Sequence, residues 1–293
     1  MYLKEIKNIY HLELDPIFPK EEVDSFFYKA IEHYLGLERF VLALEPDLVI
    51  SKEKETPLFR ALNELRQEKP IQYVLGLAHF CGMDFKVDEQ VLIPRPETEE
   101  LVYWILDEVR NPHLARPNVG EGLQILDVGT GSGCIAISMA KNLPHARVTG
   151  IDISEGALKI AKENAGKNKV DVTFVEADAL SLGPLGGPYD IIVSNPPYVR
   201  EKEKETMHNN VLKYEPETAL FVADEDPLLF YRSIVGFATV HLKRGGMLFF
   251  EINQYLGKDT LQLLEGNGFS GIELKKDMYG NDRMLKGILS KKI

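Results

Sequence analysis

Asn195-Pro196-Pro197-Tyr198 combines residue types that can grip a flat group bearing an NH2. The asparagine oxygen and the backbone carbonyls can accept N–H, and the aromatic ring can cover the plane of the group. These residues directly follow Tyr189-Asp190-Ile191-Ile192-Val193-Ser194, a run that reads as a buried strand. Proline has no N–H and a fixed φ, so the chain must leave the sheet there. The residue before each proline is pushed into an extended conformation. The result is a rigid projection at the carboxyl end of a strand, where open α/β sheets bind ligands. The plainer alternative is a strand terminator with a packed tyrosine.

Three earlier strand ends carry further candidates. Asp127-Val128-Gly129-Thr130-Gly131-Ser132-Gly133 reads as a strand running into a glycine loop, which lets backbone approach a ligand without a Cβ clash. Its spacing, G-x-G-x-G, is not the dinucleotide pattern G-x-G-x-x-G. The next strand ends at Asp152, whose carboxylate can accept from both hydroxyls of a ribose. Asp152 could instead cap the following helix, although Ser154 suits that role better. The third ends at Glu176-Ala177-Asp178-Ala179, where Asp178 can accept from the exocyclic amine of an adenine. Together these point to an adenosine-bearing cofactor. There is no Walker lysine pattern and no basic cluster for a pyrophosphate. S-adenosylmethionine has no phosphate and fits acidic strand ends.

These positions need a sheet to hold them. Strands are expected at Leu123–Val128, Arg147–Ile151, Val172–Val175, Asp190–Ser194, Met247–Glu251, Gly271–Leu274 and Arg283–Leu289. Helices fall at Ile135–Asn142, Glu155–Asn168, Pro227–Leu242 and Leu256–Asn267. This alternation predicts an α/β, doubly wound, mostly parallel sheet of seven strands. The last strand follows too short a connection for a helical crossover, so it should run antiparallel. The first 77 residues show apolar residues at helical spacing, as in Phe26, Phe27, Ala30, Ile31 and Tyr34, and read as a small, acidic, all-helical domain. Residues 78–96 read as a β-hairpin linker, with Phe80, Met83, Phe85 and Val87 facing Val91-Leu92-Ile93 and Pro94-Arg95-Pro96 ending it. Residues 97–293 form the cofactor-binding domain. Arg200-Glu201-Lys202-Glu203-Lys204-Glu205 reads as a solvated, mobile loop.

The 293 residues carry a net charge of −11. That balance disfavours non-specific nucleic-acid binding, which leans on excess Lys and Arg. The two cysteines, Cys81 and Cys134, lie in no CxxC arrangement, and the seven histidines have no ligand spacing, so no metal is expected. No apolar leader or membrane-spanning run is evident, so a soluble protein of a reducing cytosol is expected.

The glycine loop, Asp152 and Asp178 together resemble the class I S-adenosylmethionine-dependent methyltransferases. With Asn195-Pro196-Pro197-Tyr198 the resemblance narrows to the amino-methylating branch. Pro70-Ile71-Gln72-Tyr73-Val74-Leu75-Gly76, Leu92-Ile93-Pro94-Arg95-Pro96-Glu97-Thr98-Glu99, Tyr214-Glu215-Pro216 and Gly280-Asn281-Asp282-Arg283 narrow it again. They look like the peptide chain release factor glutamine methyltransferase family, HemK/PrmC, over nearly the whole chain from Pro70 onward. The resemblance implies methylation of the side-chain nitrogen of the glutamine in the Gly-Gly-Gln loop of class 1 release factors 1 and 2, leaving S-adenosylhomocysteine. It implies that Gly129, Thr130, Gly131, Ser132 and Gly133 line the methionine part of the cofactor. Asp152 would hold the ribose, and Asp178 and Ala179 would lie near the adenine. Asn195, Pro196, Pro197 and Tyr198 would hold the glutamine, with Asn195 also beside the cofactor. The implied partners are the release factors, with no membrane, no direct nucleic acid and a monomeric chain. Two departures stand out. Asn253 and the Val222-Ala223 pair occupy positions where the family usually has glycine.

An amide nitrogen is a poor nucleophile, because its lone pair is delocalised. The Asn195 oxygen and the Pro196 carbonyl are expected to accept one substrate N–H each, with Tyr198 against the amide plane. Orientation and electrostatics would then supply most of the rate. The rival enzymes are an adenine-N6 DNA methyltransferase, whose target is also a conjugated NH2, and a glutamine methyltransferase acting on a ribosomal protein. From a different class, a binding module that kept the fold and lost the reaction is disfavoured by the intact glycine loop, Asp152 and Asn195. Trp104 reads as core. Arg95, Glu97 and Tyr214-Glu215-Pro216 are open between site and structural roles, and Gly280-Asn281-Asp282-Arg283 reads as a turn.

Overall fold

A computed structural model describes residues 1–110, 122–183 and 185–290. The chain forms two compact units, Met1–Leu77 with His208–Tyr214, and Ala78–Met207 with Glu215–Ile293.

The first unit contains α1 (Leu3–Leu14), α2 (Lys20–Leu35), α3 (Val41–Leu44), α4 (Lys52–Leu65) and α5 (Ile71–Leu75). Leu3, Ile6, Tyr10 and Leu14 line one face of α1 at helical spacing, and Val23, Phe26, Phe27, Ala30 and Ile31 line α2. With Leu58, Leu62 and Leu65 of α4 they make a single apolar core. Glu21 and Glu22 sit in the first turn of α2, where they face the positive end of its dipole. Gly36, at φ 66°, ends that helix in the left-handed region.

The second unit opens with a hairpin, β1 (Leu77–Phe80) and β2 (Met83–Lys86). The hairpin differs from the sequence expectation. It turns at Cys81-Gly82, both at positive φ, and Val91-Leu92-Ile93 is not a strand. Asp88 holds that segment in a turn, accepting from the Gln90 N–H at 2.9 Å, while Val91 and Ile93 are buried without a ladder. Pro96 also departs from its expected role as a terminator. It is the first residue of α6 (Pro96–Arg110), the position where a missing N–H costs a helix nothing.

The strands and helices that follow are β3 (Gln124–Val128), α7 (Cys134–Asn142), β4 (Arg147–Asp152), α8 (Glu155–Asn168), β5 (Thr173–Glu176), β6 (Tyr189–Ser194) and β7 (Val199–Arg200). A 3-10 helix spans Glu201–Thr206, the segment expected to be a mobile loop. Three-residue spacing eclipses side chains in a 3-10 helix, so Arg200 pairs with Glu203, and Lys204 pairs with Glu201 at 2.6 Å. Next, α9 (Asn209–Tyr214) groups with the first unit, where the Tyr214 hydroxyl donates to the Gln67 carbonyl at 2.8 Å. The chain finishes with α10 (Glu217–Leu220), β8 (Phe221–Val222), α11 (Leu229–His241), β9 (Leu242–Glu251), α12 (Gly257–Gly266), β10 (Phe269–Lys276) and β11 (Asp282–Leu289).

Seven strands form one sheet in the order β10-β11-β9-β6-β3-β4-β5. The pairs among β9, β6, β3, β4 and β5 are parallel, and β11 runs antiparallel to both neighbours, as its short connection requires. Both faces are covered, so successive residues of one strand feed different cores. Ile125, Ile191, Val193, Met247 and Phe249 pack with α6 and α7. Leu126, Ile192, Leu248 and Phe250 pack with α11 and α12. Trp104 is core, edge-on to Phe249 at 5.4 Å between centroids. From β3 the chain winds to β5 on one side, and β6 and β9 lie on the other. The strand order therefore reverses between β3 and β6, which opens a crevice at their carboxyl ends. Among the described residues, no helix is long and apolar enough to cross a membrane.

Candidate active site

The register of β3 against β6 sets the centre of the site. Val128 pairs with Ser194, so the glycine loop and Asn195 leave the sheet side by side. The Ser194 hydroxyl, fully buried, donates to the Val128 carbonyl at 2.6 Å and ties the two strand ends together.

The glycine loop is built on its backbone. Gly129, Gly131 and Gly133 all have positive φ. A Cβ at Gly129 or Gly131 would meet open space, but one at Gly133 would lie 2.9 Å from Ile137 Cδ1 and 3.2 Å from Ala161 Cβ. The first two glycines therefore leave room on the open side, and the third lets α7 pack on α8. Thr130 and Ser132 are buried. Asn164 of α8, also buried, clamps the loop by donating to the Ser132 carbonyl at 2.9 Å and to the Lys86 carbonyl at 3.0 Å. Sequence reasoning missed this clamp, because an asparagine within a helix has no distinctive local pattern.

Asp127 lies beneath the loop with no exposed surface. Its Oδ2 accepts from the Thr130 hydroxyl at 2.7 Å and from the Ala136 N–H at 3.2 Å. Its Oδ1 has no hydrogen-bond partner among the described residues. Burial pushes this carboxyl up to about 7, with a small added push from Asp152. Asp152, at the end of β4, accepts the Gly131 N–H at 2.8 Å on one oxygen and the Ser154 N–H at 2.9 Å on the other. Burial raises its pKa as well. Ser154 is the cap of α8, accepting from the Ala157 N–H at 3.2 Å. Asp178 turns one oxygen to the Leu180 N–H at 2.8 Å, and the Ala179 carbonyl accepts from the Ser233 hydroxyl at 2.6 Å. Ile153 and Leu180, exposed apolar residues, lie within two positions of the two carboxylates.

Asn195 is half-buried, and its Nδ2 donates to Thr98 Oγ1 at 3.3 Å. Its Oδ1 and the Pro196 carbonyl accept no hydrogen bond among the described residues. The Tyr198 hydroxyl turns inward to Glu251 Oε1 at 2.9 Å, and burial holds this phenol well above its ordinary pKa, so it keeps its proton. Tyr198 as a whole is half-buried. Glu251 Oε2 accepts from the Thr98 hydroxyl at 2.6 Å, and Arg283 Nη1 donates to the Tyr198 hydroxyl at 3.3 Å. Thr98, Glu251 and Arg283 were not identified as part of the site from the sequence. They come from α6, β9 and β11: the register of β9 on β11 brings Arg283 beside Glu251, and the packing of α6 on β9 brings Thr98 to it.

The residues left open have structural partners. Glu215 takes the Ile93 N–H at 3.1 Å and pairs with Arg95. Asn253, at a position where glycine is usual in the resembled family, donates to the Tyr198 carbonyl at 2.9 Å and to Glu203. The turn before β11 is held by Asp277, which accepts from the Tyr279 and Asn281 N–H groups at 2.9 Å and from Arg283 Nε at 3.1 Å.

This strand order, with a glycine loop and carboxylates along the carboxyl edge, defines an α/β enzyme of the methyltransferase class. The family model of the methyltransferase small domain matches residues 112–218. The fold is shared with a methyltransferase from Pyrococcus furiosus, at a TM-score of 0.51 and 18% identity over 83% of this chain and 100% of that one. The human methyltransferase 10 domain containing protein aligns at a TM-score of 0.50 and 17% identity, over 80% of this chain and 97% of its own. The release factor glutamine methyltransferase of Flavobacterium psychrophilum is 51% identical over 98% of this chain and 99% of its own length. Its counterpart from Bacteroides thetaiotaomicron is 46% identical over 93% and 95%. The chain belongs to the release factor glutamine methyltransferase family.

Proposed function

We propose that this enzyme transfers a methyl group from S-adenosylmethionine to the side-chain nitrogen of the glutamine in the Gly-Gly-Gln loop of class 1 release factors. The observation that carries the reading is a pair of acceptors that take no hydrogen bond among the described residues, Asn195 Oδ1 and the carbonyl of the buried Pro196, on the strand beside the glycine loop. A primary amide has two N–H bonds, and two fixed acceptors match them.

The donor set fits the cofactor. A carboxylate offers about four lone-pair sites, and Asp152 uses one on each oxygen, which leaves room for two ribose hydroxyls. Asp178 keeps one oxygen clear of its own turn for an exocyclic amine. Ile153 and Leu180 offer apolar surface for a flat base. Gly129 and Gly131 leave space for a chain to pass close to the backbone.

When bound, the cofactor supplies an electrophilic methyl group on a sulfonium. Asn195 and Pro196 hold the substrate nitrogen by both of its hydrogens, which aims the lone pair and favours the positive charge that grows there during transfer. Tyr198, half-buried three residues after Asn195, would pack against the amide plane. None of these residues needs to act as a strong base. The methylated nitrogen regains neutrality by losing one of the protons it brought.

Asn195→Ala should lower kcat by about 100- to 1000-fold, the loss typical of one oriented polar group in a reacting site. Cofactor affinity should stay close to that of the parent enzyme. The assay is incorporation of labelled methyl into release factor, with double-stranded DNA in a parallel incubation. Near-normal turnover by the variant, or label in DNA and not in release factor, would overturn the proposal.

A further inference from the structure

We infer that Glu251, acting through Thr98, is a positioning residue that sets which way round the Asn195 amide stands. This rests on the role proposed for Asn195.

The polarity of the chain of hydrogen bonds follows from donor counting. Glu251 is 1% exposed, at the end of β9; burial raises its pKa, while the hydroxyls of Thr98 and Tyr198 and the charge of Arg283 favour the ionised form, which only accepts. Both its oxygens take a hydroxyl, Thr98 on one and Tyr198 on the other. Thr98 has a single hydroxyl hydrogen, which Glu251 takes. Its Oγ1 can then only accept from Asn195, and the group facing it must be the NH2. Asn195 Oδ1 is thereby turned away from Thr98 and left as an acceptor. Tyr198 has likewise spent its hydrogen on Glu251, so its oxygen accepts from Arg283. Arg283 in turn is held by Asp277 and donates to the Ile252 carbonyl.

An amide rotated by half a turn would set Oδ1 against a Thr98 lone pair and present two donors to a substrate that is itself a donor. The carboxylate forbids that rotamer. Stability alone does not explain a carboxylate here, since a buried charge is costlier than an apolar side chain of the same shape. Glutamine at 251 would keep the shape and lose the polarity. Its NH2 would face one of the two hydroxyls, which then accepts and frees its hydrogen to point elsewhere.

Two substitutions separate polarity from packing. Thr98→Val keeps the volume and removes the acceptor, and Glu251→Gln keeps the shape and removes the charge. Thr98→Val should lower kcat for release-factor methylation by about 10- to 100-fold, the scale of one or two mis-set hydrogen bonds, and Glu251→Gln by up to that amount, less where its NH2 settles on Tyr198 and leaves Thr98 donating. KM for release factor and calorimetric cofactor affinity should stay within about twofold. Thr98→Ser, which keeps the hydroxyl, should restore most of the rate. If Glu251→Gln fails to fold, Thr98→Val decides. A folded Thr98→Val enzyme with kcat within twofold of the parent refutes the inference. If Asn195→Ala is inactive in the same assay, that result leaves the role of Asn195 standing and removes only the relay. If Asn195→Ala is also fully active, the reading of the site itself fails.

Discussion

Asp127 gives the most quantitative prediction. Its carboxyl is raised from 3.8 to about 7 in the folded protein, chiefly by burial, against opposing hydrogen bonds from Thr130 and Ala136. The folded state therefore binds this proton more tightly than the unfolded chain. The resulting stabilisation is fully present below pH 4 and is lost as pH rises through about 7. The full span is about 4 kcal/mol, at roughly 1.4 kcal/mol per pH unit. Most of that range lies near the pI of about 5.2, where low net charge favours association. Between pH 6 and pH 8 the loss should still be about 1.4 kcal/mol. Asp127→Asn removes the titration. Its carbonyl can accept from Thr130 and Ala136 as Oδ2 does, while its NH2 takes the place of the unpartnered oxygen. Absolute stability depends on what that NH2 finds, but the pH dependence does not. Urea unfolding of both proteins without cofactor, across pH 6 to 8, should show the variant gaining about 1.4 kcal/mol on the parent. Contributions from Asp152 and Glu251 enter both proteins and largely cancel in the difference. Parallel pH profiles would show that Asp127 is already ionised at pH 6, and that burial does not control it.

Gly133→Ala should cost about 1–3 kcal/mol in urea unfolding, from positive φ and a Cβ driven against Ile137 and Ala161. Gly131→Ala meets open space and should lose only about 1–2 kcal/mol of stability, but its methyl group intrudes where the cofactor is proposed to run, so calorimetric affinity should fall further than for a mere strain effect. Equal stability losses with unchanged cofactor affinity would contradict both roles. Asn253→Gly removes the donor to the Tyr198 carbonyl and to Glu203 and should cost about 1 kcal/mol. Hydrogen exchange should show Glu201–Thr206 less protected, and unchanged protection would mean that the 3-10 helix holds itself.

The sheet was legible because buried parallel strands are dense apolar runs, and each ended on a residue with its own backbone signature. Asn195-Pro196, Gly129 and Asp152 declare themselves locally. The errors arose where local pattern and tertiary role part company. Val91-Leu92-Ile93 has strand composition, but Asp88 and Glu215 settle its backbone instead. The charged run at Arg200 looks solvated, yet its three-residue spacing and Asn253 order it. Asn253 departs from the glycine expected of the resembled family, and its hydrogen bonds to Tyr198 and Glu203 give that asparagine a structural role. Thr98, Glu251 and Arg283 could not be grouped in advance. Thr98 and Glu251 stand 153 residues apart and join through the packing of α6 on the sheet, while strand register brings Arg283 beside them.

Three carboxylates, the buried Asp127 and Glu251 and the half-buried Asp152, share one logic. Asp127, Asp152 and Glu251 all lie on the carboxyl edge of the sheet, and burial raises the pKa of each. Each is therefore a place where the fold gives up stability, in a chain that already carries a net charge of −11. Two of them border the glycine loop, and the third sits behind Asn195. A neutral or anionic ligand would relieve none of that cost. A ligand with a sulfonium and an ammonium would relieve it at the loop, and would do so less once the sulfonium has become a neutral thioether. Glu251 is screened from such a ligand by Thr98 and Tyr198, so its charge is not spent on binding. In the relay proposed above it acts on the orientation of Asn195, where a flipped amide would cost the reaction rather than the fold.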